Sequence, residues 1–491
     1  MTRAAWLGLA LAACTPHPAR YADAPVVTAV ADNAPIPLPR STSFIEPVAF
    51  TEAYVRRPIV DALDASRTPR ARDVNALDEV PRSSYWLGAV TEPERLASAY
   101  AVAGPPRSPL VLKKDRGRTL EIEDGRGYRY LLEADPDAEP NTRSAAAAIS
   151  SRLLRALGYR SPEVWVVTPT ASLPELGRAP AWSATRWPVG IDLGPTPASE
   201  RRSDDPNDRI EPTERRTLRV LGIVAAWLDI GDLGPAHLRD VYRGPPGKGH
   251  VEHYVVGLRT ALGVRHLIHG DGVETAAGTV RGSPLVNLVT LGLHRPATQI
   301  EDEHSLRAFP LSAEGFDLGM PFDPIDHLLP GDEYWIAELL THVSTKLLAA
   351  AVRAGSIADA GVARHLRRAL EARRAALVSR HLLAATPCAV TATTERLLVF
   401  EDRAVAEGVV SGAGAHYLAE LFDERGRPLG PARRLNASLG EIELSLPRAA
   451  RVRSYVIARL HAEYPEHGRL PPVEVHLSRA TGVLRVIGIR R

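Results

Sequence analysis

"AWLDIGDLGPAHLRDVY", Ala226–Tyr242, closes a helical pattern and opens a Gly/Pro-broken stretch that holds Asp232 and Asp240. Carboxylates just past a buried helix are well placed to accept protons. Whether this loop works depends on what surrounds it. On its N-terminal side, "PTERRTLRVLGIVAAWLDI" puts Pro212 where a first helical turn tolerates it, and its second half is apolar enough to be buried. One continuous helix is expected there. On its C-terminal side, "GHVEHYVVGLRTALG" and "VRHLIHGDG" read as a β-hairpin.

Further upstream, "SPLVLKKDRGRTLEIEDGRGYRYLLEAD" alternates in polarity around a "DGRG" turn at Asp124–Gly127, the pattern of a hairpin. "NTRSAAAAISSRLLRALGY" is helical in composition from Ser144 to Leu157 and stops at Gly158. "SPEVWVVTP" is a strand, and the polar, Pro-punctuated run through "RRSDDPNDRIEP" reads as one long surface loop. From Asp332 to Leu383 the period is helical almost throughout. Beyond Thr386-Pro387 short alternating runs take over ("RLLVF", "EIELSL", "PVEVHLS"), which predicts an all-β, sandwich-like module over 386–491.

The N-terminus carries an address. Met1-Thr2-Arg3 is a positive start, Ala4–Ala10 is apolar, and "LAAC" sets Cys14 behind small residues, the layout of a secretory signal over 1–13. The apolar run falls well short of the ~20 residues needed to span a bilayer. "LAAC" resembles the bacterial lipobox, which implies a lipidated Cys14 anchoring the chain in the bilayer. Without an aspartate after the cysteine, the implied destination is the outer membrane, on its periplasmic face. Acyl chains at ~0.8 kcal/mol per buried CH₂ would make that anchor stable. Residues 14–43 are rich in Pro and Ala and read as a tether. Cys388, the second of two cysteines, sits in apolar "AATPCAVTA" and reads as a buried, inert thiol. A net charge of +2 excludes a polyelectrolyte role with nucleic acid, and only four lysines are present (Lys113, Lys114, Lys248, Lys346).

The order hairpin, strand, helix, strand, buried helix, acidic loop, hairpin is that of a two-lobed, kinase-like α+β fold over 44–385, with an N-lobe at about 75–170 and a C-lobe at about 171–385. "NALDEVPRSSYW", "YLLEADP", "SDDPNDRIEPTERRTLRVLGIVAAWLD" and "HYVVGLRTALG" resemble a family of bacterial secreted proteins and lipoproteins with a protein-kinase-like core. The likeness runs from about Asn75 to Leu383. It implies a phosphate-holding lysine, a helix glutamate, a catalytic aspartate, a metal-holding asparagine and a metal-holding aspartate. Laid on this chain, those positions are Glu133, Ala147, Asp232, His237 and Gly257. Only Asp232 keeps its type. Glu133 would repel phosphate by ~1–4 kcal/mol at a few Å, and losing both metal-holding side chains removes the main electrostatic term of such catalysis. The resemblance therefore implies a degenerate, pseudokinase-like member in which Asp232 is a remnant.

Other chemistry competes with bland readings. His250 and His253, with His266, His269 and Asp271, suggest a metal site, but residues three apart on a strand face opposite ways. Asp204, Asp205 and Asp208 would suit a divalent cation such as calcium, without the spacing of an EF-hand; a turn and helix-entry role is the alternative. Asp232 with Asp240 could form an acid/base pair, though no nucleophile signature accompanies them. The expectation is a binding or scaffold lipoprotein of the envelope, with no cofactor and with an envelope protein or glycan as partner. The alternatives are a metal-dependent transferase or hydrolase using Asp232 as base, and a structural envelope component. An aromatic content of 5% weakens the case for a sugar-stacking platform.

Overall fold

The computed structural model describes residues 20–43, 56, 68–100, 103–169, 176, 179–197, 200–231, 233–234, 237–264, 305–307, 309–316, 318, 322–437 and 440–491. Helices and several antiparallel sheets are mixed. The residues group into two compact units, one of Val27–Ala385 with Glu407–Val409, the other of Thr386–Ala406 and Val410–Arg491 with the described residues up to Val26. Among the described residues no single helix is long and apolar enough to cross a membrane.

Among the described elements the larger unit has first helix α1 (Pro93–Tyr100) and then a five-stranded antiparallel sheet in the order β1-β2-β3-β5-β4. Its strands are β1 (Leu110–Asp115), β2 (Thr119–Asp124), β3 (Arg129–Ala134), β4 (Glu163–Val167) and β5 (Trp182–Arg186). Alternation in β2 and β3 sends Leu120, Ile122, Tyr130 and Leu132 to one face, where they meet Trp182 and Ala184. The "DGRG" turn joins β2 to β3. Asp124 closes it by accepting the backbone N–H groups of Arg126 at 2.9 Å and Tyr128 at 3.1 Å, and Gly127 supplies the left-handed residue at φ 80°.

Helix α2 (Arg143–Ala156) lies between β3 and β4 in the chain. Its run of alanines has no bulk to expose, so the helix is buried along nearly its whole length. Gly158 follows at φ 97°, and a β-carbon there would lie 2.6 Å from the Trp86 ring. Only glycine meets both demands. β5, along with β6 (Ile191–Pro195), falls inside the stretch expected to be one long loop. Five-residue strands flanked by Pro and Gly carry too little periodicity to announce themselves.

The expected single helix from Pro212 is broken. A 3₁₀ turn at Pro212–Glu214 leads to α3 (Arg216–Arg219) and α4 (Leu221–Leu228). Arg215 is extended between them at φ −98°, ψ 116°. That break lets a distant carboxylate act as cap: Asp73 accepts the N–H of Arg216 at 2.6 Å and of Thr217 at 3.2 Å. Asp240 also departs from expectation. It belongs to strand β7 (Leu238–Arg243), not to a loop, and β7 pairs with β8 (His250–Val255) and β6. The hairpin partner of β8 is thus β7, across the "GPPGKG" connection; the other proposed run, with His266, His269 and Asp271, lies outside the described residues.

Past α5 (Asp323–Asp326), helices α6 (Pro330–Thr341), α7 (Thr345–Ala354) and α8 (Ala360–His381) pack around α4 and α2. Buried Arg373 of α8 donates to the carbonyls of Ala226 and Trp227 at the end of α4, where the last carbonyls have no N–H donors within the helix. The predicted tether is not free either. Val30 donates to the Arg82 carbonyl at 2.7 Å, Ile36 to Gly249 at 2.9 Å and Thr42 to Leu193 at 2.7 Å, so residues 27–42 run bonded along the larger unit.

In the smaller unit β9 (Cys388–Thr393), β10 (Leu397–Asp402) and β13 (Glu441–Ser445) form one antiparallel sheet in the order β13-β10-β9. A second holds β12 (Arg433–Leu435), β11 (His416–Asp423), β14 (Tyr455–Tyr464), β16 (Val473–Ser478) and β17 (Arg485–Arg490), with β15 (Gly468–Arg469) on β14. Two single-turn helices, α9 (Arg403–Ala406) and α10 (Arg448–Arg451), interrupt the strands. Buried Asp402 ties strands together, its carboxylate accepting Tyr417 Oη at 2.6 Å and Tyr464 Oη at 2.7 Å.

Candidate functional site

Glu133 sits on β3 opposite Ser183 of β5, with its side chain one-third exposed. The residue that meets it is Arg259, from the single 3₁₀ turn after β8 (Leu258–Thr260). Arg259 Nη1 donates to the Glu133 carbonyl at 2.7 Å and to Ser183 Oγ; Nη2 donates to the Ala134 carbonyl at 2.8 Å and reaches Asp135 at 3.4 Å. Its Nε stands 3.9 Å from the Glu133 carboxylate. One guanidinium thus fastens the end of β3 to the turn after β8.

Asp135 continues the arrangement. It is fully buried and accepts Ser144 Oγ at 2.6 Å and the Ser144 N–H at 3.0 Å, serving the first turn of α2. Burial pushes its carboxyl above the usual range, while Arg259 and the Ser144 bonds pull the other way. The neighbouring Arg143 is pulled below its ordinary value by burial and by Arg259. Ala147 lies buried in α2 and offers only packing.

His237 and Gly257 come together. Val256 donates to the His237 carbonyl at 2.8 Å, and a β-carbon on Gly257 would lie 2.6 Å from His237 Cδ2. Gly257 also holds φ 75°, where an aspartate would be strained. The chain has therefore filled with an imidazole the space that a side chain at 257 would need. Asp232 lies outside the described residues.

Asp240 has become a buried junction. It accepts Thr196 Oγ1 at 2.5 Å, His253 Nδ1 at 2.7 Å and Arg202 Nη1 at 2.9 Å. Burial opposes its charge, yet His253, Thr196 and Arg202 together hold the carboxyl below its usual range. His253 stacks on Tyr85 at 3.7 Å, and Arg215 covers the ring of the same tyrosine at 4.0 Å. His250 instead points toward Glu252, so the two histidines do not chelate together.

The Asp204–Asp208 loop borders a cavity of about 360 Å³ lined by Ser203, Asp205, Asp208 and Glu211 among others. Its carboxylates are directed to protein donors, not toward one another. Asp204 binds Arg202 Nε at 2.9 Å and the Arg40 N–H at 2.8 Å; Asp208 binds Arg215 at 2.6 Å and the Arg202 N–H at 2.9 Å; Asp205 accepts the Asn207 N–H at 2.8 Å. Among the described residues no group of three or more His, Cys, Asp or Glu side chains could hold a metal ion. Asp204, Asp205 and Asp208 each face a different protein donor in this structure, whereas a hard cation would need several of their oxygens converging on one point.

Sequence reasoning passed over Arg259 and Asp135. Both lie in stretches already singled out, "GLR" and "YLLEADP", but nothing in a single chain announces that they meet.

No protein-family model matches the chain, and no curated protein matches it. Among solved structures, the crystal structure of a Helicobacter pylori proinflammatory kinase, CtkA, aligns over 56% of this chain and 94% of that one, at 10% identity and a TM-score of 0.33.

Proposed function

We propose that the chain is an outer-membrane-anchored lipoprotein whose kinase-like domain no longer transfers phosphate and serves as a binding or scaffold component of the envelope. The observation that carries this reading is the Glu133–Arg259 contact. Where a kinase would present a lysine to phosphates and an aspartate to metal, this chain sets a carboxylate on β3 and an arginine two residues past Gly257. The charges are exchanged. The guanidinium spends its donors on Glu133, Ala134, Ser183 and Asp135, so little is left for a nucleotide. The partner is an envelope protein or glycan, and the anchor is acylated Cys14.

Thermal unfolding with and without millimolar nucleotide and Mg²⁺ tests the noncatalytic half. A ligand at one hundred times its dissociation constant would add about 2.7 kcal/mol of stability. An unchanged midpoint is the expected result. A clear rise, abolished by Asp232→Ala, would restore phosphoryl transfer as the function.

A further inference from the structure

The first described residues of the chain do not drift free; they are seated in a socket of the smaller unit. Tyr21 donates its hydroxyl to the Ile489 carbonyl at 3.0 Å and its backbone N–H to Tyr455 Oη at 2.9 Å. Its ring stands edge-on to buried His476, with centroids 4.8 Å apart at 72°. Gly488 makes the floor. A β-carbon at that position of β17 would collide with Tyr21 Cγ, Cδ2 and Cε2, so the seat exists because residue 488 has no side chain. Tyr455, Ile457 and Ile487 form the apolar wall. On either side the chain is held again: Arg20 lies over the Tyr455 ring at 4.6 Å, and Asp23 pairs with Arg485 and accepts Ser478 Oγ at 3.1 Å.

This socket lies close in sequence to Cys14. Seven steps separate Cys14 from Tyr21, and even fully extended they reach no more than about 25 Å. Among the described residues the first strand of the smaller unit begins only at Cys388. Without the socket, its sole covalent link to Cys14 would run through the entire larger unit. With it, the link is a few residues long.

We propose that the Tyr21 socket is a spacing device that keeps the smaller unit at the membrane, within reach of the phospholipid headgroup surface. This inference rests on the lipoprotein reading given above and adds to it which part of the protein meets the bilayer.

The test uses the full acylated chain in phosphatidylethanolamine/phosphatidylglycerol vesicles with an energy acceptor on the headgroups. A donor goes on Val483→Cys, in the exposed turn between β16 and β17, where it is distinguishable from Cys388 at 1% exposure. The comparison is Tyr21→Ala/Asp23→Ala, which leaves every residue of the sheet intact. Energy transfer should be strong in the parent chain and fall at least threefold in the variant. Equal transfer in both would overturn the socket's role. Radiolabelled palmitate on the same preparations keeps the two failures apart: label that persists in Cys14→Ser would overturn the lipoprotein reading, and this inference with it.

Discussion

Arg259 Nε stands 3.9 Å from the Glu133 carboxylate, and the same guanidinium holds the Glu133 carbonyl at 2.7 Å. The pair joins side chain to side chain and side chain to backbone at once. It is therefore both a charge contact and a splice between β3 and the turn after β8. Neither role needs a ligand to complete it.

Removing the guanidinium should be costly. Arg259→Ala removes the cation facing fully buried Asp135, leaving it the Ser144 bonds, and takes a donor from the carbonyls of Glu133 and Ala134. Breaking a buried pair by deleting one partner costs about 3 kcal/mol. Urea unfolding of the variant should show that loss with an unchanged slope. Glu133→Lys should cost about 1–4 kcal/mol by setting two cations together. An increase in stability in either variant would refute the latch.

Restoring an acid at residue 257 should fail for a geometric reason. Gly257→Asp forces an L-residue to φ 75° and drives its β-carbon into the His237 ring. A left-handed non-glycine residue costs about 1–3 kcal/mol before any clash is added. The thermal midpoint should drop, and Mg²⁺ with nucleotide should not recover it. Recovery by the metal-nucleotide pair would mean the position can still serve a metal.

In the smaller unit, Asp402 should behave as a single-residue keystone. Asp402→Ala leaves the hydroxyls of Tyr417 and Tyr464 buried without their shared acceptor, and it also releases the N–H groups of Ala404 and Val405. A loss of about 2–4 kcal/mol is expected. Because both tyrosines bond the same oxygen, the double change Tyr417→Phe/Tyr464→Phe should cost less or more than the sum of the singles, not equal it. Strict additivity in denaturant melts would argue that the two bonds are independent.

Cys388 should be silent to thiol reagents in the folded protein. It is 1% exposed; burial first and Asp402 second push its thiol well above the ordinary value. Reaction with a maleimide should therefore track global unfolding. Fast labelling under native conditions would contradict that placement.

The sequence was most legible where local period and turn chemistry agreed with the final packing. The Asp124–Gly127 turn, the alanine-rich helix stopping at Gly158 and the apolar run ending at Leu228 are all such places. It was least legible where long-range bonds decide local shape. Arg215 is extended because Asp73, far upstream, captures the amides that follow it. Asp240 reads as a loop acid, but β7 carries it into a bonded junction with Thr196, His253 and Arg202, residues no motif associates with it. The exchanged charges at Glu133 and Arg259 were half visible: the glutamate stood out against the resembling family, whereas its partner is set only by the fold.

Acid should loosen the smaller unit through Glu474. Burial works against its charge, yet His476 at 3.8 Å and the Arg459 guanidinium at 2.7 and 3.0 Å hold the carboxyl down to about 2, from an ordinary 4.5. Because the folded value is the lower one, the stabilisation is complete above the unfolded value and disappears as pH falls from there through the folded one. For a shift of this size the contribution at neutral pH is about 3 kcal/mol. Glu474→Gln should thus lower the urea midpoint at pH 7 and differ little from the parent near pH 2. A deficit that stays the same at both pH values would show that Glu474 acts through packing and not through its charge.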